Sequence, residues 1–221
     1  MNKTIKDKLA STKSGNRFLS DKRFRTTLFA AGSMGFNLLY GIFNGILGII
    51  YASLWFITMC AYYLTLGCMR LAVVTLDEKN NKRTERSVMC HNGIAMLFLA
   101  VVLVGTVTIS FLYPVSKSYP VTVMIAIATY TFLIAAFAIR NAVCAHKEHS
   151  LITITLRNIS LAGVAASMLT LQRSMIATFG SEDADFANTM NGISGLGVFL
   201  IVLVLGISMI IQGRERKVDE R

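Results

Sequence analysis

Residues 189–212 read TMNGISGLGVFLIVLVLGISMIIQ, twenty-four residues without one charged side chain. A hydrocarbon layer about 30 Å thick asks a helix for about 20 consecutive apolar residues, and this stretch supplies them. A surface helix of a water-soluble domain would show a polar face at a period of 3.6 residues, and this one has none. Comparable runs occupy 26–44, 53–76, 91–113, 121–140 and 151–179. The fold class expected is therefore all-α: a polytopic bundle of six transmembrane helices built as three hairpins.

The polar segments between the runs complete this organisation. Residues 1–25 form a basic N-terminal segment, 26–212 the transmembrane domain and 213–221 a charged tail. Asn44-Gly45 and Gly48 read as a brief connection between the first two spans. DEKNNKRTER (77–86) and NAVCAHKEHS (141–150) fall on one side, PVSKSYP (114–120) and SEDADFAN (181–188) on the other. The first side, with both termini and Arg140 at the edge of its span, holds 18 of the 22 Lys and Arg, whereas the loops of the second hold only Lys117. Short cytoplasmic loops retain basic residues, so the expected topology is N-in, C-in in a plasma membrane. No small-residue cleavage site follows the first apolar run, so a removable signal is not expected.

Composition excludes several classes. Hydrophobic residues make up 54% and charged residues 15%, against about 45–50% and 25% in an ordinary soluble domain. The net charge of +10 does not point to nucleic acid, because the bases sit in short inter-span segments and form no basic face on a soluble module. The four cysteines lie within or at the ends of apolar runs, and free thiols are expected. No His-Glu-x-x-His helix, Gly-x-Ser-x-Gly elbow, paired intramembrane Asp or Gly-rich phosphate loop occurs, so the chain reads as no enzyme and as needing no cofactor.

The residues that could carry function are the polar ones inside the spans. Ser33, Asn37, Tyr40 and Asn44 fall on one face of the first helix, and Thr58, Tyr62 and Thr65 on one face of the second, where they could meet. Such a stripe is either interhelical glue or the lining of a pathway. Arg70 and Arg157 lie about six residues inside the ends of their spans and Arg140 at such an end. They either snorkel to lipid phosphate or converge on an anionic headgroup or solute. Arg173 precedes Glu182, Asp183 and Asp185, and either pairs with them or, if the long fifth helix tilts, faces a cavity with Gln172.

All twelve Asp and Glu fall in loops or tails, which argues against a cation-coupled mechanism. Cys90, His91, Cys144, His146 and His149 gather toward the basic side, but Cys-x-His-x-x-His is not a standard zinc spacing, and no metal is expected. Ser160, Gly163, Ser167, Thr170 and Ser174 form a small-residue seam on the fifth helix that suits close helix packing.

The runs NLLYGIFNGILGIIYASLWFITMCAYY (37–63), LRNISLAGVAASMLTLQRSMIATFG (156–180) and MNGISGLGVFLIVLVLGISMI (190–210) give the chain its character. In them it resembles a group of uncharacterised six-span membrane proteins from Gram-positive, clostridia-like bacteria. The resemblance covers nearly the whole chain and implies a bacterial plasma membrane; it carries no activity and no site residues. Two functions fit: a small transporter or channel-like protein for an anionic or neutral solute, or a non-transporting subunit that binds lipid or a partner. The partners expected are membrane lipids and either a second copy or another membrane protein.

Overall fold

In a computed structural model the described residues are 22–77, 82–112, 120–147, 151–179 and 184–215. Among them are six α-helices and no strand: α1 (Lys22–Ile50), α2 (Leu54–Asp77), α3 (Lys82–Leu112), α4 (Val121–Lys147), α5 (Leu151–Phe179) and α6 (Ala184–Glu215). Helices α2 to α6 are each long and apolar enough to cross a membrane, while the apolar stretch of α1, Met34–Ile50, is shorter. Several helices outrun their apolar cores. α3 starts nine residues before 91 and α4 ends seven after 140. A helix satisfies its own backbone hydrogen bonds, so nothing forces it to stop where the hydrocarbon does. Consequently Glu85 and Asp185 lie within helices, at the very ends of the spanning stretches Glu85–Thr108 and Asp185–Arg214.

The expected break at Asn44-Gly45 does not occur: α1 continues through both residues and through Gly48 to Ile50. The Asn44 Nδ2 donates to the Tyr40 carbonyl at 2.7 Å, tying the amide into its own helix. The chain reverses only at Tyr51-Ala52-Ser53. There the Ser53 N–H reaches back to the Gly48 carbonyl at 3.0 Å and the Ala52 N–H to that of Ile49 at 3.3 Å. This is the paired bonding of a Schellman end, whose pivot residue takes a left-handed conformation. Ala52 is that pivot, at φ 46°.

Small residues explain why α1 runs on. Gly41, Gly45 and Gly48 form one edge of the helix, and a methyl group there would meet Leu64 Cδ2 at 3.4 Å, Cys60 Sγ at 3.1 Å and Ile57 Cγ1 at 2.7 Å respectively. The register 41 to 64, 45 to 60 and 48 to 57 makes α1 and α2 a close antiparallel hairpin. Without a hydrophobic driving force between helices in lipid, such close backbone approach is what holds them.

The helices α3 and α6 pair in the same way, around Gly93, Gly195, Gly206 and Gly213. α4 pairs with α5, where Gly163 faces Ile134 of α4 and Leu66 of α2. α5 touches α2, α3, α4 and α6 and is the hub of the bundle. Its spanning stretch is 72% buried, against 28% in α4 and in α6. The seam expected on it is sound, since Ser160, Gly163, Ser167, Thr170 and Ser174 are all buried. The three-hairpin arrangement needs correcting. Extensive packing joins α1 to α2 and α5 to α6, but α3 turns away from α4 and packs along α6 instead. The glycines facing each other across α3 and α6 permit that closer contact.

Candidate functional site

Four helices, α1, α2, α4 and α5, enclose a polar cluster in the middle of the bundle. From α1 come Asn37, Tyr40 and Asn44, from α2 Tyr62, Tyr63 and Arg70, and from α4 Tyr130, all of them buried. The expected face-to-face meeting of the α1 and α2 stripes is not what brings them together. The glycine edge of α1 takes the contact with α2, which leaves Asn37 and Tyr40 turned toward α4. The Tyr130 hydroxyl donates to Asn37 Oδ1 at 2.9 Å. The Tyr40 and Tyr130 rings lie parallel with centroids 3.5 Å apart. Tyr63 meets both edge-on, at 4.8 Å and 5.7 Å.

Arg70 is 1% exposed, so the interfacial arginine reading fails for it. A side chain can snorkel only if its helix face leads to the surface, and this face of α2 leads to α5. Its Nη2 donates to Ser160 Oγ at 3.1 Å, and that hydroxyl donates onward to the Leu156 carbonyl at 2.8 Å. Tyr62 donates to the Ala162 carbonyl at 3.4 Å. Polar groups of α5 thus receive the polar side chains of α2. The polar atoms of the cluster are imperfectly matched: Asn37 Nδ2 has no partner, and the Tyr40 and Tyr63 hydroxyls lie beside Asn44 and Ser167 without a hydrogen bond of good geometry. Each such atom costs about 1–3 kcal/mol in desolvation.

The other sequence candidates separate. Thr58 and Thr65 bond to the carbonyls of Leu54 and Ala61 one turn back in their own helix and do not join the cluster. Arg157 is half-buried and leans on the adjacent Asn158 Oδ1 at 3.4 Å, so it does not converge with Arg70. Arg140, Ser33, Cys144, His146 and His149 lie outside the residues whose side chains are described. Cys90 packs against α6, its thiol 3.9 Å from the Ile210 carbonyl. His91 instead faces an exposed cleft and bonds through Nδ1 to the Ser87 carbonyl at 2.7 Å. Among the described residues no three metal-ligating side chains come together.

Two cavities lie outside the cluster. The cleft between α2 and α3 holds about 530 Å³ and is lined by Thr65, Cys68, Met69, Ser87, His91 and Asn92 among others. At the end of the bundle that carries the α1–α2 turn, a much smaller cavity is lined by Trp55, Arg173, Asn188 and Asn191. Trp55 is 4% exposed and lies under the Arg173 guanidinium, 4.4 Å from the ring centroid. Sequence reasoning missed Tyr63 and Tyr130 as site residues. The signal was there: tyrosines flanked by apolar residues in two different spans, each with a hydroxyl to place.

The outward faces complete the picture. Leu39, Ile49, Phe98, Phe132, Ile193 and Val204 are each more than 60% exposed, while the interior holds asparagine, arginine and tyrosine. Water-soluble monomers rarely expose so many large apolar side chains on their outer faces. The fold and the site define a multi-pass membrane protein. No protein-family model matches the chain, and no curated protein matches it.

Proposed function

We propose that the protein crosses a bacterial plasma membrane six times, with both termini cytoplasmic, and passes a small anionic or neutral solute between α1, α2, α4 and α5. The charge split of the loops supports the orientation. The sixth span is α1, which has no charged residue from 26 to 50, about 37 Å of helix. One observation carries the transport reading: the buried polar atoms of Asn37, Tyr40, Asn44 and Tyr63, gathered in one cluster, have hydrogen bonds that are absent or poorly formed. A passing neutral solute with donors and acceptors would satisfy Asn37 Nδ2 and Asn44 Oδ1 in turn, and an anion would accept from Asn37 Nδ2. Arg70 gives the route a positive charge, and no carboxylate belongs to the cluster, so an anion is favoured over a cation.

Proteoliposomes loaded with chloride, acetate, urea or glycerol test this. At least one should leak faster than from empty liposomes, and Asn37→Leu should abolish that flux while the variant stays folded, losing only about 1 kcal/mol with its bond to Tyr130. Absence of flux for all four in well-folded protein overturns the proposal.

The second reading, a non-transporting lipid-binding subunit, is favoured by the α2–α3 cleft. Its polar rim of Ser87 and His91 and its apolar floor suit one acyl chain with its headgroup. Ala72, which lines the cleft, is the place to fill it. Under this reading Ala72→Trp lowers the amount of phospholipid that co-purifies with the protein and leaves any flux unchanged. Lipid retention equal to that of the natural protein sinks it.

A further inference from the structure

We infer that Gly67 sets the width of the solute route: the side chain this residue lacks leaves an enclosed space beside the central cluster, and the solute passes through it. The inference rests on the transport reading and names the residue of that route on which solute size is decided. Among the described residues six glycines have nothing within 4 Å of a would-be methyl: Gly32, Gly35, Gly67, Gly105, Gly192 and Gly197. Five of them are exposed or partly so, and their room is that of the bundle's surface. Gly67 alone is buried, so its room lies inside the protein.

The space arises where α1 and α2 part. From their turn as far as Gly41 the two helices touch, with Gly48, Gly45 and Gly41 each meeting a side chain of α2. The register that pairs 48 with 57, 45 with 60 and 41 with 64 goes on to pair 38 with 67 and 35 with 70. Leu38 does not fill the gap, since it is 45% exposed on the outer face, and Gly35 has no side chain to fill it with. The space thus opens at the level of Asn37, whose buried Nδ2 has no partner. On α2 it lies one helical turn from both Tyr63 and Arg70, the spacing at which residues of a helix are neighbours. Alanine at 67 would gain up to about 1 kcal/mol of helix propensity and would add contacts in an interior that otherwise keeps few voids. Packing alone therefore favours a methyl group there, and an open passage favours none.

The proteoliposome assay above, run beside unfolding by added SDS, tests this on the full chain. Gly67→Ala should unfold no more easily than the natural protein, since its methyl meets nothing. It should nevertheless slow the solutes that pass severalfold, the larger ones more than the smaller. Gly67→Leu should stop them all. Gly197→Ala, which adds the same methyl in open space on the outer face, should leave flux unchanged. A natural protein that passes none of the four solutes removes the transport reading and the role of Gly67 with it. Flux that Gly67→Ala leaves unchanged in rate and in solute preference, or a Gly67→Ala protein that unfolds more easily than the natural one, overturns the inference while the transport reading stands.

Discussion

The contact between α3 and α6 offers a severe test of the packing described above. A methyl group at Gly93 would lie 2.7 Å from Ile210 Cγ1, 3.0 Å from the Gly206 carbonyl oxygen and 3.2 Å from the Ile210 nitrogen. One at Gly206 would lie 3.2 Å from the Gly93 carbonyl oxygen. Two of the three atoms facing position 93 are backbone and cannot rotate aside, so Gly93→Ala must push the helices apart. Overpacking of this kind costs about 1–3 kcal/mol. Alanine returns at most about 1 kcal/mol through helix propensity, and less in a bilayer, where separated helices remain helical. The net expectation is a loss of about 1–2 kcal/mol. Gly197, on the same helix as Gly206 but with nothing within 4 Å of its would-be methyl, is the control. Gly197→Ala carries the propensity gain alone and should be neutral or slightly stabilising. Unfolding in mixed micelles by added SDS, followed by Trp55 emission, compares the two. The double variant Gly93→Ala/Gly206→Ala should lose less than the sum of its parts, because one separation relieves both clashes. A Gly93→Ala protein as stable as Gly197→Ala would mean that α3 and α6 do not meet at these glycines.

Three further outcomes follow from other parts of the bundle. Ala52→Gly should stabilise the protein by about 1 kcal/mol in the same SDS titration, since glycine removes the left-handed strain at the α1–α2 turn. Equal or lower stability would place the reversal elsewhere. Tyr130→Phe leaves Asn37 Oδ1 without its donor and should cost about 1 kcal/mol, with no added cost when combined with Asn37→Leu; full additivity would show that the two side chains do not interact. Gly163→Leu should be destabilising by at least the 1–3 kcal/mol typical of overpacking, because Ile134 Cδ1 and Leu66 Cδ1 already stand 3.1 Å and 3.5 Å from its would-be methyl. Unchanged unfolding would move that face of α5 out to lipid.

Much of this protein was legible in one dimension. Five of the runs read as spans are helices long and apolar enough to cross a membrane, and the small residues of α5 announced a face packed closely against other helices. The length of an apolar run is set by the thickness of hydrocarbon, and a small-residue seam by how close two backbones must come. Both requirements act locally, so the order of residues along the chain records them.

Which faces meet was decided only in three dimensions. In water a buried face is apolar and an exposed one polar, so periodicity points inward. In a bilayer the lipid is as apolar as the core, and that contrast vanishes. Snorkelling stood as one of two readings for Arg70 because its distance from the helix end is visible in sequence and the azimuth of its neighbour α5 is not. Asn44-Gly45 read as a turn because the pair is a turn signal wherever water can reach it. Here the glycine is a contact surface for Cys60, and the asparagine bonds within its own helix. The pairing of α3 with α6 joins residues 88 to 123 positions apart, from Val107 with Gly195 to Cys90 with Gly213, and its glycines show their purpose only when the partner helix lies against them.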